Sequence, residues 1–155
     1  MLRSLSGLPV ALCCVSSLWA ADNETPLGVA QKLFDAMKAH DAAAATRLFV
    51  PGASLASVDP EGKASVTPFE KFAEHIGTSK SDWLEHMSNP KVLAHGSIAA
   101  VWGEYDFYLN GALHHCGIDS FSMLRTATGW KIASVSDTRE TSGCMQHGLK
   151  SPAPQ

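Results

Sequence analysis

Residues 97–139 constrain the fold more tightly than any other part of the chain. They form three runs rich in Val, Ile, Trp, Tyr and Phe, separated by Asn110-Gly111 and by Thr126-Ala127-Thr128-Gly129. Asn-Gly between apolar runs is the favoured two-residue hairpin turn, because both turn residues need positive φ. The pattern predicts strands over 97–109, 113–125 and 130–139, an antiparallel meander. A two-residue turn sets Tyr108 opposite Leu113, Asp106 opposite His115, Glu104 opposite Gly117 and Trp102 opposite Asp119, and opposed residues share a face.

In this register one face carries Trp102, Glu104, Asp106, His115, Asp119, Phe121 and Met123, joined by Trp130 and Ile132. The other carries Val101, Tyr105, Phe107, His114, Cys116, Ser120, Ser122, Val135, Asp137 and Arg139. Both faces hold large apolar groups, whereas a sheet with one wet side alternates apolar and polar residues, so both are expected to be covered. Helices cover one face; a second copy of the chain is expected on the first, outer face, making a homodimer.

The helices are read upstream. Thr25-Pro26 is a capping hydroxyl followed by proline at the first helical position, and Leu27, Ala30, Leu33, Phe34 and Met37 follow at helical spacing to about His40. Asp41 caps a second helix read through to Phe49 and stopped by Pro51-Gly52. Strands are expected at 54–58 and 63–66 around the turn Asp59-Pro60-Glu61-Gly62. Thr67-Pro68-Phe69-Glu70 has the form of a capping box opening a third helix that Gly77 ends. Further strands are read at 83–87 and 91–95, broken by Asn89-Pro90. The fold class is α+β: three N-terminal helices packed on a curved, mostly antiparallel sheet.

Of the 155 residues, 45% are hydrophobic and 17% charged, which suits one globular domain. Arg3, an apolar run and then Trp19-Ala20-Ala21 read as a signal peptide over residues 1–21, which implies a secreted or periplasmic protein with no membrane attachment after cleavage. The domain spans 25–140, and a mobile tail is expected over 144–155. Asn23-Glu24-Thr25 is a glycosylation sequon. Removing the leader leaves Cys116 and Cys144, which an oxidising compartment permits to form a bridge; two free buried thiols are the open alternative. The net charge of −3, with no basic run, argues against nucleic acid.

The order of these elements, together with the stretch from Ile98 to Phe107, His115-Cys116-Gly117, Gly129-Trp130-Lys131-Ile132 and Asp137-Thr138-Arg139, resembles the nuclear-transport-factor-2-like cone fold. Within that superfamily it is similar to exported members labelled lumazine-binding or polyketide-cyclase-like. The resemblance implies a pocket in the cone. Ketosteroid isomerases of the superfamily place a catalytic aspartate in an Asp-Pro-x-Gly segment, so the resemblance makes Asp59 a candidate base. Leu33 and Ser122 stand where those enzymes need a tyrosine and a protonated aspartate, which argues against steroid isomerisation and leaves Asp59 to the turn.

The inward list supplies the candidate ligand-binding residues, Tyr105, Ser120, Ser122, Asp137 and Arg139, polar groups on an apolar wall. Asp137 is also a candidate catalytic acid or base, and an Asp137–Arg139 structural ion pair is the competing reading. His75, Trp83 and Glu85 are placed on the opposite side. His114 and His115 are adjacent on a strand and expected to diverge, so no metal site is expected, and no cofactor. The functional expectation is an exported small-molecule-binding domain. The alternative is a cofactor-free acid–base enzyme, an isomerase, cyclase or dehydratase, acting on a cyclic substrate.

Overall fold

The structure, a computed structural model, describes residues 24–144. The expected leader, the asparagine of the sequon and the tail beyond Cys144 lie outside the described residues. Three helices, α1 (Pro26–Lys38), α2 (Ala42–Thr46) and α3 (Phe69–Thr78), pack on a six-stranded sheet. Its strands are β1 (Phe49–Val58), β2 (Ala64–Pro68), β3 (Trp83–His95), β4 (Ile98–Leu109), β5 (Ala112–Thr126) and β6 (Gly129–Thr138). In space they run β2-β1-β6-β5-β4-β3, antiparallel throughout except where β1 lies parallel to β6.

The first helix forms as its sequence dictates: the Thr25 hydroxyl accepts from Gly28 N at 3.1 Å, and Val29, Ala30, Leu33 and Phe34 are buried along one stripe. Phe34 meets Phe121 edge-on, with ring centroids 6.0 Å apart, tying α1 to the concave face of the sheet. Asp41 caps α2 through Ala44 N at 2.7 Å. That helix ends at Thr46, short of the expected Phe49, because Phe49 opens β1 opposite Ile132 and stacks on Phe69 at 5.0 Å. Pro51-Gly52 is then absorbed as an irregularity within β1.

The capping box at Thr67 is not formed. Thr67 belongs to β2, paired with Leu55, and α3 starts at Phe69 with no side-chain cap; the β1–β2 ladder claims Thr67 first. Nor does Gly77 end the helix. It lies in the last turn, where a Cβ would stand 3.0 Å from that of Ala42. Asn89-Pro90 bends a single strand β3 instead of dividing it, and as an edge strand β3 tolerates the missing donor.

The decisive difference lies in the meander. Tyr108 faces Leu113 as expected, but Phe107 faces His115, so His114 is an extra residue in β5. Every later pairing on β5 is displaced by one: Asp106 faces Cys116, Tyr105 faces Gly117, Gly103 faces Asp119 and Val101 faces Phe121. A bulge reverses the faces of the strand beyond it. Phe121, Met123 and Asp119 therefore point inward, and Ser120 and Ser122 point outward opposite Trp102 and Ala100. A second irregularity at Ala133 in β6 brings Trp130 and Ile132 inward as well as Val135 and Asp137. The outer face consequently carries less apolar surface than the unbulged register implies.

Candidate functional site

The concave face of the sheet, closed over by α1 and α3, encloses a cavity of about 480 Å³. Its walls are apolar and largely aromatic: Phe34 from α1, Phe72 from α3, Trp83 from β3, Phe107 from β4 and Phe121 from β5. A polar group gathers on the sheet side, formed by Glu85, Tyr105, His115, Asp119, Asp137 and Arg139. Each comes from the inward register positions of β3, β4, β5 or from β6 and the residue just beyond it.

Asp137 is fully engaged. It accepts from Ser57 Oγ and from Arg139 Nε at 2.8 Å, and the Tyr105 hydroxyl lies 3.3 Å from its Oδ2. That hydroxyl donates mainly to the Thr138 carbonyl oxygen at 2.8 Å. Burial, reinforced by the neighbouring carboxylates, pushes the Tyr105 phenol far above its ordinary range, so it stays a hydrogen-bond donor. The Asp137–Arg139 ion pair foreseen from the sequence is present, with Asp137 mostly buried and Arg139 half exposed.

Glu85 and Asp119 are built differently. Their carboxyl groups are hydrogen-bonded to each other, and burial raises the proton affinity of both: Glu85 is pushed up to about 7 and Asp119 well above the usual carboxylate range. Asp137 adds like-charge repulsion to each, while Arg139 opposes it. Two adjacent carboxyls in a dry wall cannot both ionise cheaply, so they share a proton. Asp119 is only 3% exposed, and, the proton it shares with Glu85 aside, its Oδ2 accepts no hydrogen bond from the described residues.

His115 is buried and held neutral, its pKa lowered to about 4 by desolvation first and then by the charges of Arg139 and His114. The bulge also brings the two histidines together: their Nδ1 atoms are 2.8 Å apart, one donating to the other, and both rings line the cavity. The expectation that they diverge is thereby corrected, since the extra residue breaks the alternation that would separate them. Among the described residues no group of three or more His, Cys, Asp or Glu is placed to hold a metal ion.

Of the residues proposed from sequence, Tyr105, Asp137 and Arg139 reach the cavity, as do His75, Trp83 and Glu85. Ser120 and Ser122 do not, being turned outward by the bulge. Asp59 is remote from the cavity: its Oδ1 accepts from Lys63 N at 2.8 Å, closing the β1–β2 turn, and it has no place in the site. Nor are Asp106 and His115 a cross-strand pair, because Asp106 stands between His86 and Cys116 on the outer face. The unbulged register assigns Asp119 to the outer face, whereas it pairs with Gly103 and lines the cavity. The signal that locates it is Gly117, whose added Cβ would stand 2.1 Å from the Thr138 carbonyl oxygen, so β5 can present only glycine inward there.

No family model matches the sequence, and no curated protein matches it. Solved structures do. A protein of unknown function from Shewanella baltica, described as NTF2-like, aligns with 75% of this chain and 91% of its own at TM-score 0.58 and 17% identity. A nuclear transport factor 2-like superfamily protein from Salmonella enterica serovar Typhimurium covers 77% and 92% at TM-score 0.58 and 18% identity. A protein from Streptomyces avermitilis, provisionally assigned as a dehydratase of the NTF2-like family, covers 72% and 90% at TM-score 0.57 and 17% identity. Residues 24–144 thus have the nuclear-transport-factor-2-like fold, a curved sheet wrapped around helices, and this is what the likeness establishes.

Proposed function

We propose that the chain is a cofactor-free acid–base enzyme acting on a small cyclic molecule held in the cavity. One observation carries this reading: the carboxyls of Glu85 and Asp119 lie side by side in the cavity wall, where burial raises the proton affinity of both. A group whose pKa lies near the working pH exchanges protons with a reacting carbon or oxygen most effectively. The ionised member of the pair takes a proton from the ligand, and the protonated member donates one. Asp137, Tyr105 and Arg139 form the fixed polar wall that orients the ligand, since their hydrogen bonds already hold them in place. The provisional dehydratase assignment of the Streptomyces protein agrees with chemistry of this class.

We further propose that the protein is exported and works as a homodimer. The Cys116–Cys144 bridge, with Cα atoms 5.7 Å apart, suits an oxidising compartment. On the outer face Leu93, Ile98, Trp102 and Leu124 remain exposed across three neighbouring strands, a surface suited to a second copy.

The catalytic reading is tested by deuterium exchange. A panel of cyclic ketones, half of them bearing an amine, is incubated with the protein in deuterium oxide and followed by proton NMR. Exchange at the carbon beside the carbonyl should exceed the uncatalysed rate, rise through about pH 7, and fall ~10²-fold or more in Glu85→Gln. Exchange equal in the wild type, Glu85→Gln and Asp119→Asn would show that the pair does no acid–base work and leave a binding domain.

A further inference from the structure

The cavity contains two carboxylate environments that differ in one respect. Asp137 receives donors from Ser57 and Arg139, so its charge is compensated within the protein. Asp119 has an Oδ2 that, once the proton shared with Glu85 is lost, receives no donor from the described residues, and its neighbour Glu85 is another carboxyl. A buried acceptor without a donor is costly. Among the described residues lining the sheet side, Arg139 carries the positive charge, with its Nε committed to Asp137 and its side chain half exposed. With Arg139 and Asp137 cancelling, the ionised Glu85–Asp119 pair leaves the enclosed end of the cavity negative.

The same cavity is lined by aromatic side chains from both layers: Trp83 and Phe107 from the sheet, Phe34 from α1 and Phe72 from α3. The negative face of an aromatic ring favours a cation over a neutral group of equal size. Negative charge, a missing donor and aromatic faces all call for the same chemistry. A neutral ligand leaves the pair's charge uncompensated, and a carboxylate ligand adds to it.

We infer that the cavity takes a ligand carrying a protonated nitrogen, whose N–H groups are received by Glu85 and Asp119 while its ring lies against the aromatic wall. The inference rests on the same cavity as the catalytic reading and adds the substrate class, a cyclic amine. An ammonium bound there takes the place of the shared proton. Binding therefore weakens as acid restores that proton, by ~10-fold per pH unit where one proton is exchanged. The other ionisable groups facing the pair are Tyr105 on β4, His114 and His115 on β5, Asp137 and Arg139 at the end of β6, and Lys71 and His75 on α3.

The test is calorimetric titration of the whole chain with three matched probes, benzylamine, benzyl alcohol and benzoate, between about pH 5.5 and about pH 8. At the alkaline end benzylamine should bind ~10-fold or more tightly than benzyl alcohol, with benzoate weakest. Its affinity should fall on acidification, and Glu85→Gln should remove both the preference and the slope. Asp119→Asn should weaken the preference while the fold, checked by circular dichroism, persists. A slope that survives in both Glu85→Gln and Asp119→Asn lies outside the pair and overturns the inference. Equal affinity for benzyl alcohol overturns the amine while leaving the cavity and its acid–base reading intact, and deuterium exchange on neutral ketones shows independently whether that reading holds.

Discussion

Glu85 and Asp119 cost the fold something that can be measured without knowing the ligand. In the folded chain Glu85 retains its proton up to about pH 7, whereas once unfolded it releases that proton near its ordinary value of 4.5. Between those values the unfolded state binds fewer protons, so stability falls as pH rises from 4.5 to about 7, and this contribution is level above. The full change is on the order of 3 kcal/mol. His115 acts in the opposite sense: held neutral down to about 4, it withdraws stability as pH falls through 6.5 towards that value. Comparing Glu85→Gln with the wild type cancels the histidine and reports the carboxyl pair, since removing Glu85 also removes the charge and the hydrogen bond that raise Asp119. Denaturant unfolding should show the variant gaining on the wild type between about pH 4 and about pH 8 by roughly that amount. A difference independent of pH would remove the pair from the account. A site that destabilises its own fold in the alkaline range fits a role in function, since structural carboxylates such as Asp137 are supplied with donors. At this scale the sequence is legible only in part. Tyr105, Asp137 and Arg139 follow from alternation along their strands, but Asp119 depends on a register that alternation alone assigns to the other face.

The element that decides the site is the bulged strand β5. Its turn, Asn110-Gly111, is readable from sequence because both residues must take positive φ, and they do, at 51° and 79°. The extra residue at His114 is not readable, since nothing in the pattern from Leu113 to Phe121 distinguishes a bulge from an unbroken ladder. What reveals it is packing: an unbulged β5 would turn Phe121 and Met123 to the outer face and remove Phe121 from its contact with Phe34. The helix ends fail for a related reason. Thr67 and Phe49 carry local signals for a cap and a helix terminus, and the pairing of β1 with β2 and β6 overrides both. Gly117 holds the end of this design together. Thr138 lies directly over it, accepting the Tyr105 hydroxyl through its carbonyl and offering its own Oγ1 to Ile118 N at 3.0 Å. A methyl group at 117 has no room without moving β6. Gly117→Ala should therefore cost about 1–3 kcal/mol, the usual range for overpacking. It should also loosen the Asp137–Arg139 corner, visible as faster amide exchange at Ile118 and Arg139. Unchanged exchange would mean the strands part freely there.

At the scale of the whole molecule, the sheet has one face built inward and one open in part, since Asp106, Tyr108 and Cys116 on it are already buried. Helices α1 and α3 account for the concave side, and the bulges transfer Phe121, Met123, Trp130 and Ile132 into that core, leaving the convex side with Leu93, Ile98, Trp102 and Leu124 beside Ser120, Ser122, Ser134 and Ser136. This is a mixed surface, an apolar patch bordered by small polar groups, and small side chains let two sheets approach closely. A second copy applied about a two-fold axis buries the patch against itself, as isologous interfaces do. Trp102 is the residue to change: it is 42% exposed, flanked by Lys91 and Ser120 in register, and contributes nothing to the cavity on the other side. Trp102→Glu introduces a charge that a two-fold axis brings against its own copy, so it opposes pairing without entering the core. At roughly micromolar concentration the wild type should sediment as a dimer and Trp102→Glu as a monomer, with circular dichroism unchanged. Benzylamine affinity should be the same in both, because Trp102 is not among the residues that line the cavity. A wild type that is monomeric at that concentration sinks the dimer. A variant that remains dimeric places the contact elsewhere, and the open face of the sheet would then have to be explained by its serine stripe, which gives the convex surface enough polarity to remain in water.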